Sequence, residues 1–116
     1  MLARLRRLAV GGAVVAAVLG QVVPAQAATT VKVRCNFFSP KSTTVGRGAR
    51  IVWKGVCGTH TVTSYSSNWS KDTILSRGQT TSRTFRSRGT FKFRCRFHSA
   101  LSNGACSGMC GVIKVT

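Results

Sequence analysis

The chain contains no glutamate and a single aspartate, Asp72, among 116 residues. That scarcity removes whole classes of chemistry. Two carboxylates cannot be brought together for general acid and base work. A calcium or magnesium cage lacks the oxygen ligands that hold hard cations. Histidine is almost as scarce, with only His60 and His98. No convincing amphipathic helix, repeat or low-complexity tract follows the first 27 residues. What the chain does have is 18 lysines and arginines, five cysteines and many short apolar runs. A site here has to be assembled from nitrogen and sulfur.

The first 27 residues read as a secretory signal peptide. Arg4, Arg6 and Arg7 precede an apolar run of Leu, Ala, Val and Gly over residues 8–20. Pro24-Ala25-Gln26-Ala27 then ends in the Ala-x-Ala pattern of a cleavage site. The apolar run is too short for a comfortable transmembrane span. No cysteine follows the cut to carry a lipid anchor. Cleavage after Ala27 predicts a mature, secreted or periplasmic domain over residues 28–116, 89 residues long. A domain of that size buries a modest core and commonly needs a staple or a metal. Export also places its cysteines where disulfides persist.

Without the three leader arginines, 15 basic residues stand against Asp72, a net charge of +14. Such a charge predicts anionic surroundings, either an acidic partner protein or an anionic cell-surface polymer. The basic residues are spread from Lys32 to Lys114 and do not gather on one helix or arm, which argues against specific nucleic-acid binding. The mature protein is expected to be a monomer with no transmembrane segment.

Period-two alternation recurs through the mature part. Val31-Lys32-Val33-Arg34 alternates apolar and basic side chains. Phe37-Phe38-Ser39-Pro40 turns the chain before a short strand over residues 42–45. Residues 49–54 place Ile51 and Trp53 on one face and Arg50, Val52 and Lys54 on the other. Residues 59–65 and 80–86 are rich in Thr and β-formers, and residues 90–95 and 112–115 close the pattern. Gly46-Arg47-Gly48, Ser76-Arg77-Gly78 and Ser87-Arg88-Gly89 supply turns. Seven or eight short strands without helices predict an all-β sandwich or small barrel.

Phe91-Lys92-Phe93-Arg94-Cys95-Arg96-Phe97-His98 carries the strongest chemical signal. Alternation points Phe91, Phe93 and Cys95 toward the core and Lys92, Arg94 and Arg96 outward. A buried cysteine alone is usually a small hydrophobe. Here His98 follows three residues later, Met109 lies in Gly108-Met109-Cys110-Gly111, and His60 sits upstream in Gly58-Thr59-His60-Thr61-Val62-Thr63. Two His, one Cys and one Met form the ligand set of a blue-copper site, a trigonal plane with a weak axial thioether. Structural zinc fits poorly, because only Cys106 and Cys110 approach the paired spacing of zinc ligands. A catalytic Cys95-His98 pair lacks any readable oxyanion apparatus, so no catalytic residue is assigned.

These residues resemble the cupredoxins, the small blue copper proteins of the plastocyanin and amicyanin-like group. The resemblance runs through Phe37-Phe38-Ser39-Pro40, Gly48 with Ile51-Val52-Trp53, His60-Thr61-Val62-Thr63, Leu75, Gly78-Gln79, Phe85, Gly89, Phe91, Phe93-Arg94-Cys95, Gly108-Met109 and Gly111-Val112-Ile113. It implies a Greek-key β-sandwich of seven or eight strands holding one type 1 copper ion through His60, Cys95, His98 and Met109. It further implies an exposed His98 as the electron port, with Phe97, Ala100 and Leu101 around it. The chain departs from the family in one respect. Ten residues rich in Ser, Gly, Ala and Asn separate His98 from Met109, where the family places only a few. A carbonyl or a glutamine is an alternative axial donor.

Cys35, Cys57, Cys106 and Cys110 remain, and four cysteines allow three pairings. In the family the first and third strands run parallel and end together. That implies a Cys35–Cys57 bridge, leaving Cys106 with Cys110, while cross-pairing stays open. The implied function is one-electron transfer by a secreted copper protein, not catalysis. Copper storage or delivery, and a metal-free binding module on the same fold, are the alternatives.

Overall fold

A computed structural model describes residues 28–116. The expected signal peptide over residues 1–27 lies outside the described residues. Nine strands form two sheets: β1 (Thr29–Val33), β2 (Phe38–Ser39), β3 (Ser42–Val45), β4 (Ala49–Gly55), β5 (Thr59–Ser64), β6 (Asp72–Ser76), β7 (Thr80–Phe85), β8 (Gly89–Ser102) and β9 (Ala105–Val115). One sheet has the order β2-β1-β4-β7 and the other β3-β9-β8-β5-β6. The protein is thus an all-β Greek-key sandwich. It has one or two strands more than the seven or eight expected; the segments not named from the sequence are β2, a two-residue edge piece after the turn at Phe37, and β6. Among the described residues no helix is long and apolar enough to cross a membrane.

Alternation drives the packing. In β4, Ala49, Ile51, Trp53 and Gly55 are buried, while Arg50 and Lys54 are exposed. In β8, Phe91, Phe93 and Cys95 are buried, and Lys92 and Arg96 are exposed. The two inner faces meet through Phe93, whose ring lies edge-on to Phe38 at 4.7 Å and to Trp53 at 5.3 Å. Burying such rings contributes on the order of 1.5–3 kcal/mol each.

Two features aim the fold at one end. β1 runs parallel to β4 with Val33 opposite Gly55, so the chain leaves both strands side by side. Cys35 and Cys57 follow at once and are joined by a disulfide, with Cα atoms 4.9 Å apart. β8 reaches the same end at Cys95, one residue past the Thr63↔Arg94 pairing with β5.

Candidate metal centre

His60, Cys95 and His98 converge at that end. Their donor atoms all lie within 4.8 Å of one another, and no carboxylate is among them. Cys95 Sγ is 3.7 Å from His60 Nδ1 and 3.5 Å from His98 Nδ1. His60 is 1% exposed and Cys95 fully buried, whereas His98 is exposed. The two imidazole centroids are 4.9 Å apart.

The His60 ring is oriented by the backbone. Its Nε2 lies 2.6 Å from the carbonyl oxygen of Cys57. A carbonyl only accepts, so Nε2 carries the proton and donates it. In the neutral ring this leaves the Nδ1 lone pair free, and Nδ1 is the atom that faces Cys95. The residue supplying that carbonyl is tethered through the Cys35–Cys57 bridge. Gly58 between them has φ 72°, and a Cβ there would sit 3.3 Å from His60 Nε2.

Cys95 gains a donor from the facing strand, since the Thr61 backbone N–H points at its Sγ from 3.4 Å. Beyond Cys95 the β8–β9 ladder breaks. Arg94 pairs with Cys110, and the next pair is Ser99 with Gly108. Four residues, from Cys95 to His98, therefore bulge opposite the single residue Met109. The bulge is closed by the Ser99 hydroxyl, which donates to the Cys95 carbonyl and accepts from Arg94 Nη1. Bulges of this kind turn side chains out of the ladder toward a site.

The same register explains the long spacing between His98 and Met109. Residues 99–108 form a hairpin, with Ser99 to Ser102 paired to Gly108 back to Ala105. Its two-residue turn is Asn103-Gly104, with φ 52° and 80°, the two positive values of a type I′ turn. Because the hairpin returns the chain to its starting point, ten residues add no distance between His98 and Met109. The Asn-Gly dipeptide was the signal in the sequence that announced this turn.

A Cys106–Cys110 disulfide clamps the returning strand, with Cα atoms 6.2 Å apart. Four residues of straight strand would span about 13 Å, so the strand folds back on itself here. The bend lies at Gly108, with φ 93°. A side chain at Gly108 would collide with the His98 carbonyl. Met109, next to the bend, is fully buried in the same core cluster as Cys95. The structure thus brings His60, Cys95 and His98 together and sets Met109 on the strand facing their bulge.

Four further residues surround the cluster: Thr61 and Thr63, which follow His60 in sequence, and Asp72 and Arg96, which no resemblance motif includes. Thr61 Oγ1 accepts the Arg96 backbone N–H at 2.8 Å. Thr63 Oγ1 lies 2.9 Å from Thr61 Oγ1 and 2.7 Å from Asp72 Oδ1. Arg96 Nε donates to the same carboxylate oxygen at 3.0 Å. The Thr63 hydroxyl and the Arg96 guanidinium hold the Asp72 carboxyl below its ordinary value of 3.8.

The donor set suits a first-row transition ion that accepts thiolate and imidazole. Metal–nitrogen bonds of ~2.0–2.1 Å and a metal–sulfur bond of ~2.3 Å, at trigonal to tetrahedral angles, hold sulfur and nitrogen about 3.5–3.8 Å apart. The Sγ–Nδ1 spacings of 3.5 and 3.7 Å fall at that separation. The spacing of the Cys95 sulfur from both imidazole nitrogens therefore fits a copper ion.

By sequence, no family model and no curated protein matches this chain. Solved structures do match. A purple cupredoxin from Nitrosopumilus maritimus aligns with a TM-score of 0.60 at 17% identity, over 76% of this chain and 99% of its own. A reduced amicyanin mutant aligns with a TM-score of 0.62 at 20% identity, over 84% of this chain and 88% of its own. A copper-containing nitrite reductase from Thermus scotoductus SA-01 aligns with a TM-score of 0.60 at 19% identity, over 84% of this chain but 26% of its own. At such identities the likeness speaks to fold, and the cluster speaks for itself. The protein has the cupredoxin fold, with a His60, Cys95 and His98 site that fits a type 1 copper protein.

Proposed function

We propose that the protein is exported, cleaved after Ala27, and acts as a one-electron carrier built on a single type 1 copper site. His60 and His98 would hold the ion through Nδ1, Cys95 through Sγ, and Met109 would add its thioether. Bound copper supplies a one-electron couple between Cu(II) and Cu(I).

The chain's own residues prepare the site. The Cys57 carbonyl fixes the His60 tautomer, so the Nδ1 lone pair is aimed inward before any ion arrives. Phe93 precedes Cys95 on the same buried face of β8, and Cys95 is itself fully buried. The Thr61 N–H withdraws charge from that sulfur, which favours the reduced state. The disulfide at Cys57 and the closed bulge at Ser99 hold the donors in place in both oxidation states. Little reorganisation then accompanies transfer.

His98 is the exposed edge of the cluster and forms the electron port. Phe97 beside it in the bulge, 52% exposed, and Leu101 on the hairpin, 43% exposed, form an apolar rim with Ala100. The basic surface steers an acidic redox partner or holds the protein on an anionic cell-surface polymer. The observation that carries this reading is the Cys95 sulfur lying between two imidazole nitrogens, one of them fixed by a backbone carbonyl.

Voltammetry of the copper-loaded protein tests it. A reversible one-electron wave that Cys95→Ser abolishes is the expected result. Stoichiometric transfer of copper to an apo-acceptor, with no wave, would assign storage or delivery instead.

A further inference from the structure

The only carboxylate side chain in the protein lies one hydroxyl, that of Thr63, away from Thr61, whose N–H points at the Cys95 sulfur. Main-chain pairing between β5 and β8 consists of Thr63↔Arg94 and Ser64↔Phe93. Beyond Arg94, where the ligands begin, side chains take over the joining of the two strands. Thr61 is the hinge of this arrangement. Its N–H reaches Cys95 Sγ, and its hydroxyl oxygen accepts the Arg96 N–H.

A carboxylate only accepts, so the Thr63 hydroxyl donates to Asp72 Oδ1 at 2.7 Å. The same hydroxyl oxygen lies 2.9 Å from Thr61 Oγ1, which accepts the Arg96 N–H. The Arg96 guanidinium returns to Asp72 through Nε at 3.0 Å and Nη2 at 3.4 Å, closing the ring. Arg96–Asp72 is also the single ion pair among the described residues.

We propose that Asp72 is a positioning residue for the metal site. Acting through Thr63, Thr61 and Arg96, it fixes the separation of the His60 strand from the Cys95 strand. Asp72 touches neither the donors nor the ion. It holds the Thr63 hydroxyl on one side and the Arg96 guanidinium on the other, so that Thr61 is kept against both Cys95 and Arg96. The role rests on the copper reading only where a coloured site is used to observe it.

The Thr61 and Arg96 amides are direct reporters, because each donates to a side chain of the network and not to a ladder. Amide hydrogen exchange is measured by NMR on the metal-free protein for wild type, Asp72→Ala and Asp72→Asn. Arg50→Gln, which removes a side-chain bond to Ser82 elsewhere, is the control. Asp72→Ala is expected to speed exchange at Thr61 and Arg96 by about fivefold or more, with Ile51 and Ile113 unchanged. Asp72→Asn keeps one acceptor and falls between. After copper loading, the visible sulfur-to-copper band shifts in Asp72→Ala and not in Arg50→Gln. Thr61 and Arg96 amides that do not move, or that move only in step with all others, would overturn the proposal. Moved amides in a protein that never colours with copper would uphold the positioning role and refute the copper reading. A coloured site with unmoved amides would do the reverse.

Discussion

Replacing Cys35 and Cys57 by alanine removes a cross-link between residues separated by 22 positions, and replacing Cys106 and Cys110 removes one separated by 4. The chain-entropy relation gives about 3.4 kcal/mol for the larger ring and about 1.9 kcal/mol for the smaller. Cys35 is exposed and Cys57 half-buried, so alanine there loses little packing and the ring term dominates. For a domain of this size each kcal/mol shifts Tm by roughly 4–8 °C. The larger ring is thus worth about 14–27 °C and the smaller about 8–15 °C. Urea denaturation of the metal-free variants, followed by the fluorescence of buried Trp53 and Trp69, measures both losses without interference from an ion. Equal losses for the two pairs, or a loss below about 1 kcal/mol for the larger ring, would refute the reasoning.

Three further outcomes are expected. Thr61→Val removes the acceptor of the Arg96 N–H at a fully buried position, and should destabilise by about 1–3 kcal/mol in chemical denaturation. Gly108→Ala puts a Cβ against the His98 carbonyl at φ 93°. It should cost more than about 1 kcal/mol and disturb copper binding, whereas Gly104→Ala at the open hairpin tip should leave copper binding intact. The pH dependence follows from Asp72, whose folded pKa is held below 3.8 by Thr63 and Arg96. Its contribution is fully present above the unfolded pKa and is lost as pH falls through the depressed folded one. The exposed carboxylate is screened, so the effect is under about 1 kcal/mol. The stability gap between wild type and Asp72→Asn should shrink on acidification below pH ~4, and a gap that widens there contradicts the assignment.

Much of the centre was legible because its chemistry is scarce. With two histidines and no glutamate, the choice of donors was narrow. The alternation through Phe91, Phe93 and Cys95 gave the buried face of β8 directly, since a strand's period leaves one option. The hairpin was not legible in the same way. Residues 99–108 lack an apolar stripe, because the arm projects past the sandwich and has no core to face; only Asn103-Gly104 marked its turn. The short β2 escaped notice for a related reason, being held by two pairings with β1 and no repeat of its own. The network at Asp72 could not be read at all. Thr61, Thr63, Asp72 and Arg96 are ordinary strand residues, and only the meeting of β5, β6 and β8 gives them a shared role.

The central claim is that Cys95 binds copper as a thiolate between His60 and His98. Titrating the folded protein with Cu(II) while recording its visible spectrum tests this most directly. One equivalent of copper should raise an intense sulfur-to-copper charge-transfer band in the wild type and none in Cys95→Ser. A wild-type protein that binds copper and stays colourless would contradict it.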